Sequence, residues 1–399
     1  MTVDDLLIES VVNSIPQWYF AECGPYEYKL KCGTTVKQFY SIVPPSERLL
    51  EYLKYANLML SKWKEILNTS ALPVHYEFVQ GVLALKWLST FNKRIHWSKL
   101  LMFLREAGNR SFENRPININ LIISQGIGKE SLTNPIFRKY LDALSRSNHI
   151  FFRVDKRVNF ISYEEIAWSA VKETATFKFS PEFLQPIASI LKDDEISVHL
   201  INGGDVIFMN RDGIIASLRK NYWHFYDVHN FNETAKKLLK IERASLLLEI
   251  ALDLSYNRSG ALVVYDSDEK AIKHIVNKNS VVDERFGQPD MFRIMIGESL
   301  RFDSEYKRKT NAIRVKRLFT ELANIDGAII CTNDKILAIG AMIKPHPDVA
   351  IHAGTRATAA ESAYRWGGVS LSVSVDGEMR IYFNTGDEKN RHCGVMKFM

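Results

Sequence analysis

The last third of the chain contains an ordered run of turn, strand and helix signals that constrains its fold more than any other feature. An acidic turn at Asp326-Gly327 opens a short apolar segment, and a second apolar segment follows at 335–341. Gly354-Thr355-Arg356 then opens a helix of small residues, and a further strand ends at the turn Asp376-Gly377. Strands and helices in this order predict an α/β domain.

The chain is long enough for more than one domain. Its 399 residues exceed the size of an average domain, so we expect two or more, each with its own core. We divide it into an α+β region at 1–193, a connecting β-meander at 194–228 and the α/β domain at 229–399.

Hydrophobic periodicity predicts the individual elements. We predict helices over 4–15, 46–67, 99–106, 131–147, 162–174, 181–191 and 232–257. We predict strands over 149–154, 196–200, 205–210, 213–218 and 259–265, and the apolar segment 75–87 is predicted to be β-prone. The aromatic run at 222–226 is interpreted as packing rather than as a platform for stacking bases.

Several classes of protein are disfavoured by composition. No apolar run approaches the roughly 20 residues that cross a bilayer, so we expect no membrane span. Acidic residues stand near the N-terminus, at Asp4 and Asp5, where a secretory signal would carry Lys or Arg, so we expect a cytoplasmic protein. The four cysteines lack the paired short spacings of a zinc site and are too sparse for a disulfide scaffold, which predicts free thiols.

The basic residues are dispersed rather than gathered into a tract. The formal net charge is +6, and the densest basic cluster lies at 301–316. That cluster is interpreted as a solvated helix face, with nearby phosphates as the alternative. Because the sequence has no basic tract, zinc pattern or helix-turn-helix signature, we do not expect a nucleic-acid partner.

The motifs of the last third also have a chemical interpretation. A Gly-Thr turn that opens a helix leaves backbone N–H groups available to phosphate oxygens, and Arg356 can add a bidentate contact. Gly327 and Ala328 are small enough for a ligand to approach the backbone closely. The alternative is structural, since Asp-Gly is first of all a turn dipeptide and occurs twice more in this chain, at 212–213 and 376–377.

These motifs together resemble the catalytic domain of the diadenylate cyclase family. The resemblance rests on Gly260-Ala261-Leu262-Val263-Val264, on Asp326-Gly327-Ala328, on Gly354-Thr355-Arg356 with the small residues after it, and on the Ser374–Gly377 turn. It covers the last third or so of the chain and implies a mixed β-sheet flanked by helices there. It implies a nucleotidyltransferase that condenses two ATP molecules into cyclic di-AMP or a related cyclic dinucleotide, with Mg²⁺ or Mn²⁺ as cofactor.

The resemblance also implies roles for particular residues. Asp326 and Arg356 would be catalytic, and Asp326 and Glu361 would hold the metal, although an acid early in a helix is also favoured by the helix dipole. The nucleotide would be bound by Leu262, Gly327, Ala328, Gly354, Thr355 and Arg356. Two such domains would face each other in a homodimer or higher oligomer, under the control of a sensor region at 1–193.

The sequence departs from the family pattern at two positions. Ala357 and Thr358 stand where the family has His and a second Arg against the phosphates. His352 and Arg365 are the nearby cations that could compensate. The alternative function is therefore a catalytically inactive sensor that binds ATP or a cyclic dinucleotide.

Overall fold

The computed structural model divides the chain into two compact units. It describes residues 3–14, 26–41, 44–67, 73–145, 150–166, 179–201, 204–227, 244–282, 317–332, 335–350, 354–384 and 393–398. The first unit holds most of the described chain up to residue 227, and the second holds the described residues from 244 onward. The predicted basic cluster at 301–316, His352 and residues 232–243 of the predicted helix lie outside the described residues.

The first unit combines helices with a broad sheet. Its helices are α1 (Val3–Ser14), α2 (Glu47–Leu67), α3 (Pro73–Phe91), α4 (Trp97–Gly108), α5 (Pro135–Leu144) and α6 (Gln185–Ile190). Two short antiparallel pairs are β1 (Tyr26–Cys32) with β2 (Thr35–Ser41), and β3 (Ser111–Phe112) with β4 (Arg115–Pro116). Among the described residues, no helix is long and apolar enough to cross a membrane.

An eight-stranded mixed sheet forms the centre of this unit. Its strands are β5 (Ile119–Ile123), β6 (Glu130–Ser131), β7 (Ile150–Val154), β8 (Asn159–Glu165), β9 (Ile196–Ile201), β10 (Asp205–Asn210), β11 (Gly213–Arg219) and β12 (Tyr222–Phe225). They lie in the order β12-β11-β10-β9-β5-β7-β8-β6, with β5 and β7 parallel. The meander β9–β12, predicted as a separate connecting element, is therefore half of this sheet.

The aromatic run on β12 packs inside the first unit. Trp223 and Phe225 are buried, and the Phe225 ring lies 5.6 Å from that of Trp87 on α3. The Trp223 ring stacks on Phe208 of β10 at 5.7 Å. The interpretation of these rings as packing is confirmed.

The prediction of β structure at 75–87 is wrong, because this segment belongs to helix α3. The described buried side chains of α3 recur at helical intervals, at Val79, Leu83, Ala84, Trp87 and Leu88. In α2 the predicted helix is confirmed. Its buried apolar stripe runs through Leu49, Leu53, Ala56, Leu60 and Trp63, while Leu50 and Leu58 are exposed.

The prediction of a helix over 162–174 is wrong for its first residues, which belong to strand β8, and 167–174 lie outside the described residues. Strand β8 pairs antiparallel with β7, with Ser162 opposite Arg153. The helix predicted over 131–147 is shorter, because Asn134 caps it by accepting a hydrogen bond from Ile136 N. Pro135 follows at the first helical position, where proline is favoured.

A buried polar row crosses the two central strands of the eight-stranded sheet. The His199 ring on β9 lies between Asn120 of β5 and Ser197, with its Nδ1 3.0 Å from Asn120 Oδ1 and its Nε2 2.9 Å from Ser197 Oγ. Asn120 and His199 are direct pairing partners. Burial lowers the pKa of His199 to about 3. The ring is therefore neutral, and it donates from Nδ1 to the amide oxygen and accepts the serine hydroxyl proton at Nε2.

The second unit contains a six-stranded mixed sheet. Its strands are β13 (Ala261–Tyr265), β14 (Ala328–Cys331), β15 (Ile336–Ala341), β16 (Val369–Val373), β17 (Met379–Asn384) and β18 (Cys393–Phe398). They lie in the order β15-β14-β13-β16-β17-β18. Only β13 and β14 of these strands run parallel. The α/β class and the mixed sheet with flanking helices agree with the prediction.

Three described helices accompany this sheet: α7 (Ala244–Tyr256), a short helix α8 at 317–323, and α9 (Thr355–Arg365). Helix α9 packs on β13, β16 and β17, and α7 contacts β16. Ala360, Ala363 and Tyr364 of α9 share one buried core with Leu262 and Val264 of β13. Small side chains on α9 let the helix lie close to the sheet.

Candidate functional site

The predicted motifs meet at one edge of the six-stranded sheet. In the parallel pair β13 and β14, Leu262 lies opposite Ala328. Gly260 and Asp326 each stand two residues before these partners, so the backbone places them side by side at the start of their strands. Ala261 lies opposite Val373 of β16, which brings the Ser374–Gly377 turn to the same edge.

Helix α9 brings its first turn to this edge because it runs antiparallel to β13. A Cβ built on Gly368, just after the helix, would lie 3.2 Å from Tyr265 O at the far end of β13. A Cβ on Gly260, at the near end, would lie 2.3 Å from Nη1 of Arg356. The helix has eleven residues and spans about 16 Å, which matches the five residues of the strand.

The contact between Gly260 and Arg356 is the most specific feature of the edge. The guanidinium carbon of Arg356 would be 2.8 Å from a Cβ on Gly260, so the group occupies the space that any other residue would fill. Arg356 is half-buried, and Asp326 is exposed. The sequence indicated Arg356 as a site residue but not Gly260, against which its guanidinium packs. Gly260 nevertheless belongs to one of the motifs on which the resemblance rests.

Gly327 has a structural role within the sheet. Its φ is +108°, and a Cβ there would lie 2.5 Å from the carbonyl carbon of Gly340 on β15. Gly340 also has positive φ, at +68°, and its Cβ would lie 3.2 Å from Asp326 O. The two glycines let β14 and β15 approach backbone to backbone, which fixes the turn that carries Asp326.

The first turn of α9 is accessible. Gly354 is the exposed N-cap with φ −128°, and nothing lies within 4 Å of a Cβ placed on it. Thr355 at the first helical position is exposed as well. The N–H groups of a first turn lack intrahelical acceptors, and the helix dipole adds partial positive charge there. This end of α9, with Arg356 beside it, can bind an anionic group.

Two of the predicted nucleotide-binding residues lie in the core. Leu262 and Ala328 are 3% and 1% exposed and pack in the cluster beneath α9. Their side chains support the edge from below, while Gly354, Thr355 and Arg356 form its accessible part.

Glu361 does not lie beside Asp326. The carboxylate of Glu361 lies 3.9 Å from Arg365. It also helps raise the pKa values of Tyr382 on β17 and Cys393 on β18, after the larger effect of burial. Strand β17 lies three positions from β14, which is about 14 Å at ordinary strand spacing. The geometry therefore does not support one metal ion held by both carboxylates of the same molecule.

The described residues of the edge could bind a metal ion only together with a ligand. No group of three or more His, Cys, Asp or Glu side chains in the described part of the chain could hold a metal. Mg²⁺, however, is commonly bound by one or two carboxylates together with substrate phosphates. The exposed carboxylate of Asp326, at the same edge as the first turn of α9, suits this arrangement.

The cations considered as substitutes for the missing family residues are not at this edge among the described residues. Arg365 is at the opposite end of α9, next to Glu361. The loop at 344–348 is fixed midway along the helix, where His346 N donates to Ser362 Oγ at 3.1 Å. The Ser374–Gly377 turn closes its own hairpin, with Gly377 N donating to Ser374 O at 2.9 Å.

The likenesses of this chain to solved structures are weak. No family profile matches the sequence, and no curated protein is similar to it. DacA from Staphylococcus aureus, crystallised as a double mutant, is 17% identical over 38% of this chain and 84% of its own, with a TM-score of 0.21. A protein from Bacillus cereus titled a hypothetical membrane spanning protein is 18% identical over 43% of this chain and 74% of its own, with a TM-score of 0.25. Both TM-scores are below 0.5, so neither structure indicates the fold or the function of this chain.

Proposed function

We propose that the second unit is a nucleotidyltransferase of the diadenylate cyclase type, which condenses two ATP molecules into cyclic di-AMP or a related cyclic dinucleotide. The observation that supports this function is the packing of the Arg356 guanidinium against Gly260, at the edge where Asp326 and the first turn of α9 meet. A guanidinium and free N–H groups suit a phosphate, and a nearby carboxylate suits a metal ion or a proton.

The proposed reaction uses each of these groups. The N–H groups of the first turn of α9 and Arg356 would hold the α-phosphate of one ATP, and a ribose 3′-hydroxyl would attack it in line while pyrophosphate leaves. Asp326 would hold the divalent ion or accept the hydroxyl proton. A bound Mg²⁺ or Mn²⁺ would supply positive charge near the phosphates.

The proposed reaction requires two copies of the site. One edge can hold one ATP, and the attacking hydroxyl must come from a second nucleotide. A homodimer or higher oligomer with two facing edges would supply it, and the first unit would control that encounter as a sensor region.

The test is to incubate the purified protein with ATP and Mn²⁺ or Mg²⁺ and to search for cyclic dinucleotides by mass spectrometry. We expect product from the wild type and none from Asp326→Asn, which should still bind ATP. Gly260→Ala should weaken ATP binding, because the new methyl group displaces the Arg356 side chain. The control is Gly81→Ala, where nothing lies within 4 Å of the new methyl group. Undiminished product from Asp326→Asn would contradict the role of that carboxylate.

A second function, an inactive sensor of ATP or a cyclic dinucleotide, is favoured by one observation. Thr358, which stands where the family has a second Arg, directs its hydroxyl to Gly354 O at 3.4 Å. Ala357 beside it offers no polar group at all. Saturable ATP binding to the wild type with no product under any metal would support this function over catalysis.

A further inference from the structure

A group of basic and aromatic side chains lies away from the proposed nucleotide edge, at the C-terminal end of α9. Its centre is Trp366, whose ring is stacked on that of His274 with centroids 3.7 Å apart and planes 6° apart. The His346 ring meets Trp366 edge-on at 4.4 Å. We name this group the Trp366 cluster, and its members are Lys273, His274, Lys278, Lys344, His346 and Trp366.

The cluster concentrates positive charge around one ring. Partial burial lowers the pKa of His274, and the charges of Lys344, His346, Lys278 and Lys273 lower it further. The three lysines are exposed, and none of them forms an ion pair with a described acidic residue. The acid nearest to the rings in the described chain is Asp348, whose carboxylate is 3.7 Å from His346 and 75% exposed.

The backbone holds the cluster in place. Trp366 Nε1 donates to Lys344 O at 2.8 Å, and Lys344 N donates to His274 O at 2.8 Å. His346 N donates to Ser362 Oγ. The two segments that carry the cations and the segment that carries Trp366 are therefore tied to one another before any ligand arrives, which lowers the entropy lost on binding.

We propose that the Trp366 cluster is a second anion site, which binds a ligand carrying several phosphate groups and is separate from the site at Asp326 and Arg356. Three exposed lysines around His274, none of them in an ion pair with a described acidic residue, suit a multivalent anion better than a single carboxylate. The stacked rings offer a flat surface to a ligand that also carries a planar base. The proposed cyclase reaction does not use this end of the helix, so the two proposals stand independently.

One other role would explain part of the charge. Cations near the end of a helix interact favourably with its last carbonyl groups. In that case the lysines would stabilise α9, and their removal would lower the melting temperature without changing the binding of anions. Melting temperatures of the parent and the lysine variants, measured beside anion binding, separate these roles.

The experiment measures the binding of inorganic tripolyphosphate by calorimetry to the full chain carrying Arg356→Ala, which weakens the first site. The test variant adds Lys273→Gln, Lys278→Gln and Lys344→Gln. A matched control adds Lys93→Gln, Lys129→Gln and Lys192→Gln instead, three exposed lysines of the first unit that change the net charge equally. We expect the test variant to bind about tenfold more weakly than its parent and the control to bind unchanged, since each exposed charge contributes only a few-fold.

Three further outcomes complete the test. Equal weakening in the test and control variants, or the absence of saturable binding to the parent, would overturn the proposal. Replacing the same three lysines by arginine should retain binding, and loss of binding in that folded variant would also count against it. Repeating the titration with ATP distinguishes the ligand, because tighter binding than tripolyphosphate would indicate a nucleotide and equal binding a free polyphosphate.

Discussion

His199 should make the stability of the first unit depend on pH. Its pKa is lowered by burial to about 3 in the folded protein, against about 6.5 for an unfolded chain. Below pH 6.5 the unfolded chain binds a proton that the folded protein does not, so stability is complete above pH 6.5 and falls as the pH drops toward 3. From pH 7 to pH 5 the loss from this one group is about 2 kcal/mol.

The measurement is urea unfolding of the wild type and of His199→Gln at pH 7 and pH 5. Tryptophan fluorescence reports this unit well, because four described tryptophans lie in it, at 63, 87, 97 and 223. The variant is expected to be less stable at pH 7, since the hydrogen bonds to Asn120 and Ser197 are disturbed. The stability difference between wild type and variant should then shrink by about 2 kcal/mol at pH 5.

A matched control guards against the other titrating groups. His96 is exposed just before α4, and His96→Gln removes one histidine without touching the buried row of Asn120, Ser197 and His199. Parallel pH profiles for the wild type and His199→Gln would refute the reasoning, because they would mean that the buried ring exchanges its proton equally in the folded and unfolded states.

Three further predictions concern the second unit. Gly327→Ala should lower its melting temperature by about 6–12 °C, from a loss of roughly 3 kcal/mol, because the methyl group meets Gly340 and φ is positive; unchanged melting would show that the strands separate easily. Asp266→Asn should cost about 2 kcal/mol in a thermal melt, because both carboxylate oxygens accept backbone N–H groups, whereas the exposed Asp268→Asn should be neutral. Cys331, whose pKa is raised by burial to about 12, should resist thiol reagents at pH 8 until urea is added, and rapid labelling of its peptide by mass spectrometry would contradict its burial.

The elements of the second unit were largely predictable because their signals are local. Gly260 and Tyr265 bound one apolar strand, Asp326-Gly327 opens the next, and a glycine precedes helix α9, so order and type could be read along the chain. Helix α3 was not predictable in the same way. Its aromatic and β-branched residues favour strands locally. Tertiary packing, including the burial of Trp87 against β12, stabilises the helix instead.

The candidate site was predictable as a set of residues but not as a geometry. The motifs indicated Asp326, Gly354 and Arg356, and the strand register then placed them at one edge. Two details of the site depend on contacts between segments far apart in sequence. Arg356 lies against Gly260, and Glu361 lies toward β17 and β18. Spacing along the chain holds no information on such contacts until the sheet order is known.

The polar row at His199 has a consequence for how the first unit folds. Strands β5 and β9 are buried along their whole length, so an alternation of apolar and polar faces cannot set their alignment. Asn120 and His199, 79 residues apart, meet only in the native register. A slip of one residue would break the bond between them and leave His199 Nδ1 and Asn120 Oδ1 without partners in a dry interior, at roughly 1–3 kcal/mol each. The row therefore selects one alignment among several that apolar packing alone would tolerate.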